Sequence, residues 1–270
     1  MTKISTLIKN ILPRQLKSSL DRWRLKQTKP IEFTYLSLLE KQTLDTLRDA
    51  ELLEQLLLSL GLNDENLQEF PEELYTYCGY GLRHWQYPKQ FVPYLIHLSQ
   101  YPIQSYLEIG VRHGGTFLIT LNYLKKFNSF QKAFAVDIVK NDALLNQSEK
   151  IGDFRFLQMD SNGKTFQEFM EQVQEIDLVL IDGNHEESYC RNDFETVKPY
   201  ANLIAFHDIV SNACPGVVKV WKEVKSEYSN EYEFFEFIDQ YESVIKRTGK
   251  SFLGIGLAVR KDFIREKLNV

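Results

Sequence analysis

Two short apolar runs in this 270-residue chain stop on groups able to hold a metal ion or move a proton. The first, 178–181, leads into Asp182 and, three residues on, His185; the second, 203–206, leads into His207 and Asp208. A carboxylate is a hard oxygen donor for a divalent cation, and an imidazole is both a nitrogen ligand and a base that titrates near neutrality. Continuous apolar runs of this length suit strands of a parallel sheet covered on both faces, and ligands collect at the carboxyl ends of such strands. If the two runs are neighbouring strands, all four polar groups face one crevice.

Acids recur upstream in the same relation to apolar runs. Residues 106–109 contain Glu108 and lead into Gly110-Val111-Arg112-His113-Gly114-Gly115-Thr116, 133–136 ends on Asp137, and 154–158 is followed by Asp160 and Ser161. A glycine-bearing turn between a strand and a helix lets a ligand approach the backbone and the helix N-terminus. This turn departs from the dinucleotide fingerprint, because Arg112 stands where the middle glycine admits a pyrophosphate. Charge points the same way. Glu108, Asp137, Asp160 and Asp182 would repel a pyrophosphate by roughly 1–4 kcal/mol per close pair. The same acids suit a ligand carrying a ribose diol, an adenine amino group, an ammonium and a sulfonium, which describes S-adenosyl-L-methionine. Any one of them alone is more commonly a helix cap or loop residue. Their register with four strands carries the reading.

The elements that must position these groups follow from periodicity. Strands are expected at 106–109, 133–136, 154–158, 178–181, 203–206, 233–238 and 252–259, with helices at 114–126, about 142–150, 165–174, 188–198 and 217–227. Strand and helix in turn predict an α/β fold, a doubly wound, mostly parallel, seven-stranded Rossmann-like sheet over 101–262. Residues 1–100 are expected to form a helical N-terminal cap, strongly helical over 34–60 and again over 91–98, and 263–270 a short tail. The stretch 75–88 is dense in aromatic and glycine residues; it reads equally as a packed surface loop or as a lid over a pocket. Within it Trp85 and Gln86 are candidates for contact with the cofactor. Arg112 and His113 read either as partners of the cofactor carboxylate or as an exposed loop pair, and Trp221 as core.

Composition bounds the rest. A hydrophobic fraction of 43% supports a sizeable core, and a net charge of −5 argues against nucleic acid as a partner. The charge is uneven: residues 1–30 hold eight Lys or Arg and only Asp21 as an acid, so the remaining 240 residues carry 24 basic and 36 acidic side chains. The basic segment places Ile4, Leu7, Ile8, Ile11 and Leu12 at helical spacing. It reads as an amphipathic arm, either packed on the domain or lying on an anionic membrane. Cys78, Cys190 and Cys214 are scattered without a paired spacing, which excludes a disulfide framework and fits a reducing cytoplasm. No apolar run is long enough for a transmembrane helix.

Over about 85–260 the residues quoted above resemble the class I S-adenosylmethionine-dependent methyltransferases. Ile181-Asp182-Gly183-Asn184-His185, Ala205-Phe206-His207-Asp208 and the segment from Cys214-Pro215 to Trp221 are similar to a narrower subgroup: metal-dependent small-molecule O-methyltransferases, including macrolide-sugar methyltransferases and proteins named after cephalosporin hydroxylase. The resemblance implies that Glu108, Gly110, Gly114, Asp137, Asp160, Ser161 and Asp182 bind the cofactor, with Asp137 on the ribose and Asp160 near the adenine. It implies a divalent cation, Mg²⁺ first, at Asp182 and the pair 207–208, and His185 as the base. The pair here is His207-Asp208 where the subgroup has Glu-Asp. Mg²⁺ prefers oxygen, so His207 reads either as a ligand that favours Mn²⁺, Fe²⁺ or Zn²⁺ or as a neighbour of the ligands. The expected activity is methylation of a hydroxyl on a small-molecule or glycan acceptor, in a monomer or homo-oligomer. A nicotinamide oxidoreductase is disfavoured by Arg112 and the acids, and a catalytically silent scaffold is the rival outside enzymes.

Overall fold

The computed structural model describes residues 30–263. All but the last residue of the basic arm over 1–30, with its expected membrane contact, and residues 264–270 of the tail lie outside the described residues. Seven strands form one sheet: β1 (Ser105–Ile109), β2 (Lys132–Asp137), β3 (Arg155–Gln158), β4 (Ile176–Ile181), β5 (Ala201–His207), β6 (Tyr232–Phe237) and β7 (Ile255–Arg260). Their order is β3-β2-β1-β4-β5-β7-β6. The strands from β3 to β5 pair in parallel, and β7 runs antiparallel to both its neighbours. This is the doubly wound α/β fold expected. The last strand starts later than the pattern 252–259 suggests. Leu253 (φ 59°) and Gly254 (φ 97°) are left-handed, and their carbonyls accept from Val210 and Ile209 instead of continuing a strand.

The helices are α1 (Leu36–Glu40), α2 (Leu44–Arg48), α3 (Ala50–Leu60), α4 (Pro88–Leu98), α5 (Gly115–Phe127), α6 (Asp142–Ile151), α7 (Lys164–Val173), α8 (Glu187–Val197), α9 (Pro215–Glu227) and α10 (Glu242–Thr248). The single helix expected over 34–60 is broken twice, each time by a side chain that caps a new start. Thr43 Oγ1 accepts from Thr46 N at 3.2 Å, and Asp49 Oδ1 accepts from Leu52 N at 3.0 Å. The short α10 carries too few apolar residues to show a helical period.

Alternation along the strands divides the core. One face of the sheet, with Tyr106, Ala135, Leu178, Leu180, Leu203 and Leu257, packs against the N-terminal helices and α5. The other, with Leu107, Val136, Val179, Ile181, Ile204 and Phe206, packs against α7, α8 and α9, including Trp221. The N-terminal helices therefore share their core with the sheet. The aromatic stretch 75–88 joins a third cluster, where Tyr87 meets Phe70 and Tyr241 edge-on and Leu62 packs with Phe252 and Leu253. No helix among the described residues is long and apolar enough to cross a membrane.

Candidate active site

The sheet reverses its winding between β1 and β4, and a crevice opens at such a point outside the carboxyl ends of the two strands. Gly110 leaves β1 with φ 90°, and a Cβ there would lie 2.1 Å from the Asp182 carbonyl oxygen. Only glycine allows the ends of β1 and β4 to come this close. Gly115 closes the other side of the same turn: its Cβ would lie 2.1 Å from Leu82 O, so the cap and the glycine turn touch backbone to backbone.

Register brings the two opening pairs together. Ile181 of β4 stands opposite Phe206 of β5, so the next residues, Asp182 and His207, are level. His207 Nδ1 lies 3.0 Å from Asp182 Oδ1 and 3.7 Å from Asp208 Oδ2. His185, past the end of β4, reaches back with Nε2 3.5 Å from both Asp182 Oδ1 and Asp208 Oδ2. His207 and Asp208 are buried, Asp182 is partly buried and His185 is 41% exposed, so the imidazole of His185 is the accessible side of the cluster. Asp208 holds φ 65°, a conformation costly for a residue with a Cβ and common at functional sites.

One member was not assigned from the sequence. A tight turn, with Ser211 N bonded to Asp208 O and Cys214 N to Ser211 O, folds Cys214 back over the cluster. Its Sγ donates to Asp208 Oδ2 at 3.1 Å and lies 3.2 Å from His185 Nδ1. The only sequence signal was its place immediately before Pro215, which starts α9.

Electrostatics follow from the packing. Burial opposes charge on His207, but the carboxylates of Asp182 and Asp208 outweigh it and raise its pKa to about 9. Burial likewise opposes ionisation of Asp182, and His207 overrides it, holding the carboxyl well below its usual range. Crowding of His185 by protein lowers its pKa, while its contacts with Asp182, Cys214 and Asp208 raise it well above the ordinary value.

The cofactor-side acids are less alike than their spacing suggested. Glu108 lies inside β1, 1% exposed, on the same face as Tyr106, whose hydroxyl donates to it. Burial raises its pKa to about 8, so it is mainly a neutral acid at pH 7 and not a fourth mouth carboxylate. Asp137 ends β2 and accepts from Arg112 N and Val139 N, both at 2.8 Å. Asp160 Oδ1 accepts from Asn162 N at 3.1 Å, and Ser161 is partly buried beside it. Asn162 in turn donates to Asp193 of α8 at 2.9 Å; burial raises the Asp193 pKa to about 7. Gly114 precedes α5 with φ 91°.

Arg112 and His113 are neither an exposed pair nor free. Both donate to Glu65, from the loop between α3 and α4, and Arg112 also sits 5.6 Å from the centre of the Trp85 ring. Trp85 Nε1 donates to Glu69 at 3.1 Å. Gln86 is fully buried, and its amide lacks a protein partner among the described residues.

Residues 107–209, from β1 through the turn after β5, match the family described as methyltransferase domain. The match covers less than half of the chain and falls on the parallel part of a Rossmann-like α/β sheet, β1 to β5. A search of curated proteins finds no match. Among solved structures the chain is similar to the MycE methyltransferase of the mycinamycin biosynthetic pathway in complex with Mg and SAH, at 19% identity over 64% of this chain and 50% of that one, TM-score 0.44. It is also similar to an O-methyltransferase from Bacillus cereus in complex with SAH, at 13% identity over 82% and 93%, TM-score 0.49. A third is the N-methyltransferase NodS from Bradyrhizobium japonicum WM9, at 14% identity over 63% and 85%, TM-score 0.41. The chain thus spans half the length of MycE. At these identities and scores the likenesses carry no residue role to this chain.

Proposed function

We propose that this domain transfers the methyl group of S-adenosylmethionine to a hydroxyl of a small-molecule or sugar-containing acceptor, with a divalent cation at Asp182, His207 and Asp208 and His185 as the base. The observation that carries the reading is the approach of one accessible imidazole to two carboxylates, Nε2 to Oδ at 3.5 Å in each case. The donor set fits a cation, since ligand atoms of Asp182, His207 and Asp208 all lie within 4.8 Å of one another. When bound, the ion would supply the positive charge that makes an acceptor hydroxyl more acidic. Mg²⁺ suits the two carboxylates, and the imidazole of His207 suits a more nitrogen-tolerant ion.

His185 takes the hydroxyl proton. Its Nδ1 faces Cys214, which leaves Nε2 as the nitrogen turned toward the carboxylates. Those same carboxylates hold the ring protonated, so neutralising them is what frees it as a base. Across the crevice, Gly110 and Gly114 shape the backbone turn, Asp137 suits the ribose hydroxyls, Asp160 and Ser161 suit the adenine, and Asp182 lies toward the sulfonium end, with Glu108 buried in β1 behind it. Because a methyl transfer needs oxygen, methyl and sulfur in line, positioning supplies much of the rate. Free cysteines at 78, 190 and 214 agree with action in a reducing cytoplasm.

The test is transfer of labelled methyl from S-adenosylmethionine to a panel of polyol and glycoside acceptors, with and without Mg²⁺ or Mn²⁺. His185→Ala and Asp182→Asn should cut turnover far more than His113→Ala, and removal of divalent ions should abolish it. Equal activity in the three variants would refute the assignment. For the basic segment 1–29, co-sedimentation with acidic liposomes at low salt tests membrane recruitment, and no sedimentation would exclude it.

A further inference from the structure

The divalent-ion reading uses Asp182, His207 and Asp208 as ligands. It leaves a second, overlapping triad unexplained: His185, Asp208 and Cys214, whose ligand atoms also lie within 4.8 Å of one another. We infer that this triad is a binding site for a thiophilic divalent cation such as Zn²⁺, and that its occupation switches the methyl-transfer site off.

The geometry is that of a nitrogen, oxygen and sulfur ligand set. Cys214 Sγ lies 3.1 Å from Asp208 Oδ2 and 3.2 Å from His185 Nδ1, and His185 Nε2 lies 3.5 Å from Asp208 Oδ2. Bonds of about 2.0–2.3 Å in a tetrahedral site place neighbouring donors roughly 3.3–3.8 Å apart, so small side-chain shifts complete the set. Cys214 and Asp208 are nearly sealed, at 6% and 5% exposed, and form the floor; the His185 side chain, 41% exposed, forms the entry. That ring can turn to present either nitrogen. The tight turn from Asp208 to Cys214 and the left-handed Asp208 hold thiol and carboxylate together before any ion arrives.

Donor chemistry sets the selectivity. A thiolate is a soft ligand that Zn²⁺ and Co²⁺ accept and Mg²⁺ does not, so the triad and the Asp182–His207–Asp208 set prefer different ions. Binding forms a metal–sulfur bond, and the Cys214 thiol proton leaves to solvent; no electron changes hands. Three protein donors leave a fourth position for water. Because Asp208 belongs to both sets, and His185 cannot ligate and accept a proton with the same nitrogen, a thiophilic ion here competes with turnover. That consequence rests on the proposed function, whereas the binding itself does not.

The experiment uses the full chain with Co²⁺ as the probe. Co²⁺ should give a near-ultraviolet thiolate-to-metal charge-transfer band that Zn²⁺ removes and Mg²⁺ does not. Cys214→Ser should lack the band, and His185→Gln, changed at an exposed side chain, should weaken Co²⁺ affinity roughly tenfold or more. Cys78 and Cys190 remain in both variants as internal controls. No band in the wild-type protein, or the same band in Cys214→Ser, overturns the site. In the methyl-transfer assay, Zn²⁺ should inhibit the wild type, and Cys214→Ser should need roughly tenfold more. A band without inhibition overturns the switch and keeps the site. A chain that transfers no methyl to any hydroxyl but shows the band contradicts the proposed function alone.

Discussion

The clamp between Glu65 and the glycine turn gives the sharpest quantitative prediction, through Glu65→Gln. Glu65 is mostly buried, at 16% side-chain exposure, and accepts from both Arg112 and His113. Burial raises its pKa, but hydrogen bonds from His113 and Arg112 override this and bring it down to about 2, from 4.5. At 1.36 kcal/mol per unit, that shift caps the charge's contribution at about 3 kcal/mol. Arg112 is 35% exposed and partly screened by water, so about 2 kcal/mol is the better figure. The folded-state pKa is depressed, so this stability is present above pH 4.5 and is lost as pH falls toward 2. Urea unfolding of wild type and Glu65→Gln, in chelator, should differ by about 2 kcal/mol at pH 7, with about 1 kcal/mol of that gap gone by pH 3.5. A gap that does not change with pH, or no gap at pH 7, would refute the electrostatic reading of the clamp. Cofactor titration by calorimetry gives a second readout, because Glu65 holds the Arg112 and His113 side chains beside the glycine turn where a cofactor carboxylate would arrive.

Three other outcomes follow from single contacts. His207→Glu replaces the nitrogen member of the proposed Asp182–His207–Asp208 set, so calorimetry should show Mg²⁺ binding tightened relative to Mn²⁺; an unchanged ratio would mean that His207 is no ligand. Gly115→Ala drives a methyl group against Leu82 O, where 2.1 Å is available, and thermal melts should show a loss of about 2 kcal/mol or more, or no folding. Asp193→Asn should act in the opposite direction: burial raises the Asp193 pKa from 3.8 to about 7, so its charge costs stability increasingly from pH 3.8 upward, and the variant should gain up to about 4 kcal/mol at pH 8 and under about 1 kcal/mol at pH 4.

What the sequence revealed, and what it hid, divide by range of interaction. The strand ends were legible because their side-chain period and the apolar runs are local, and register did the rest: once β4 pairs with β5, Asp182 and His207 have to be level. The same local logic held the correction for Glu108. Tyr106 and Glu108 are two apart on a strand, so they share a face, and a Tyr that enters the core takes the acid in with it. The breaks at Thr43 and Asp49 were also written locally, as capping residues, but the leucine periodicity over 34–60 masked them. Glu65 and Cys214 were not legible. Glu65 meets Arg112 and His113 across 47 and 48 residues, through a loop whose composition is that of any polar connection. Cys214 meets His185 across 29 residues and Asp208 across six, through a turn of mixed apolar and polar residues with no periodic signal.

Charge explains why a histidine is tolerated at 207. With carboxylates already at 182 and 208, another carboxylate at 207 would crowd like charges around one buried point. His207 replaces that repulsion with attraction: it pairs with Asp182 at 3.0 Å and lies 3.7 Å from Asp208. The protein therefore holds the carboxylates of Asp182 and Asp208 in place around an imidazole. An entering ion must compete with a cationic imidazole already in its place, which weakens binding of hard ions most and leaves the neighbouring thiol, Cys214, free to favour a soft one. On this argument the departure at 207 and the cysteine at 214 belong together. In the proposed scheme the first makes the site less suited to Mg²⁺, and the second makes it better suited to Zn²⁺.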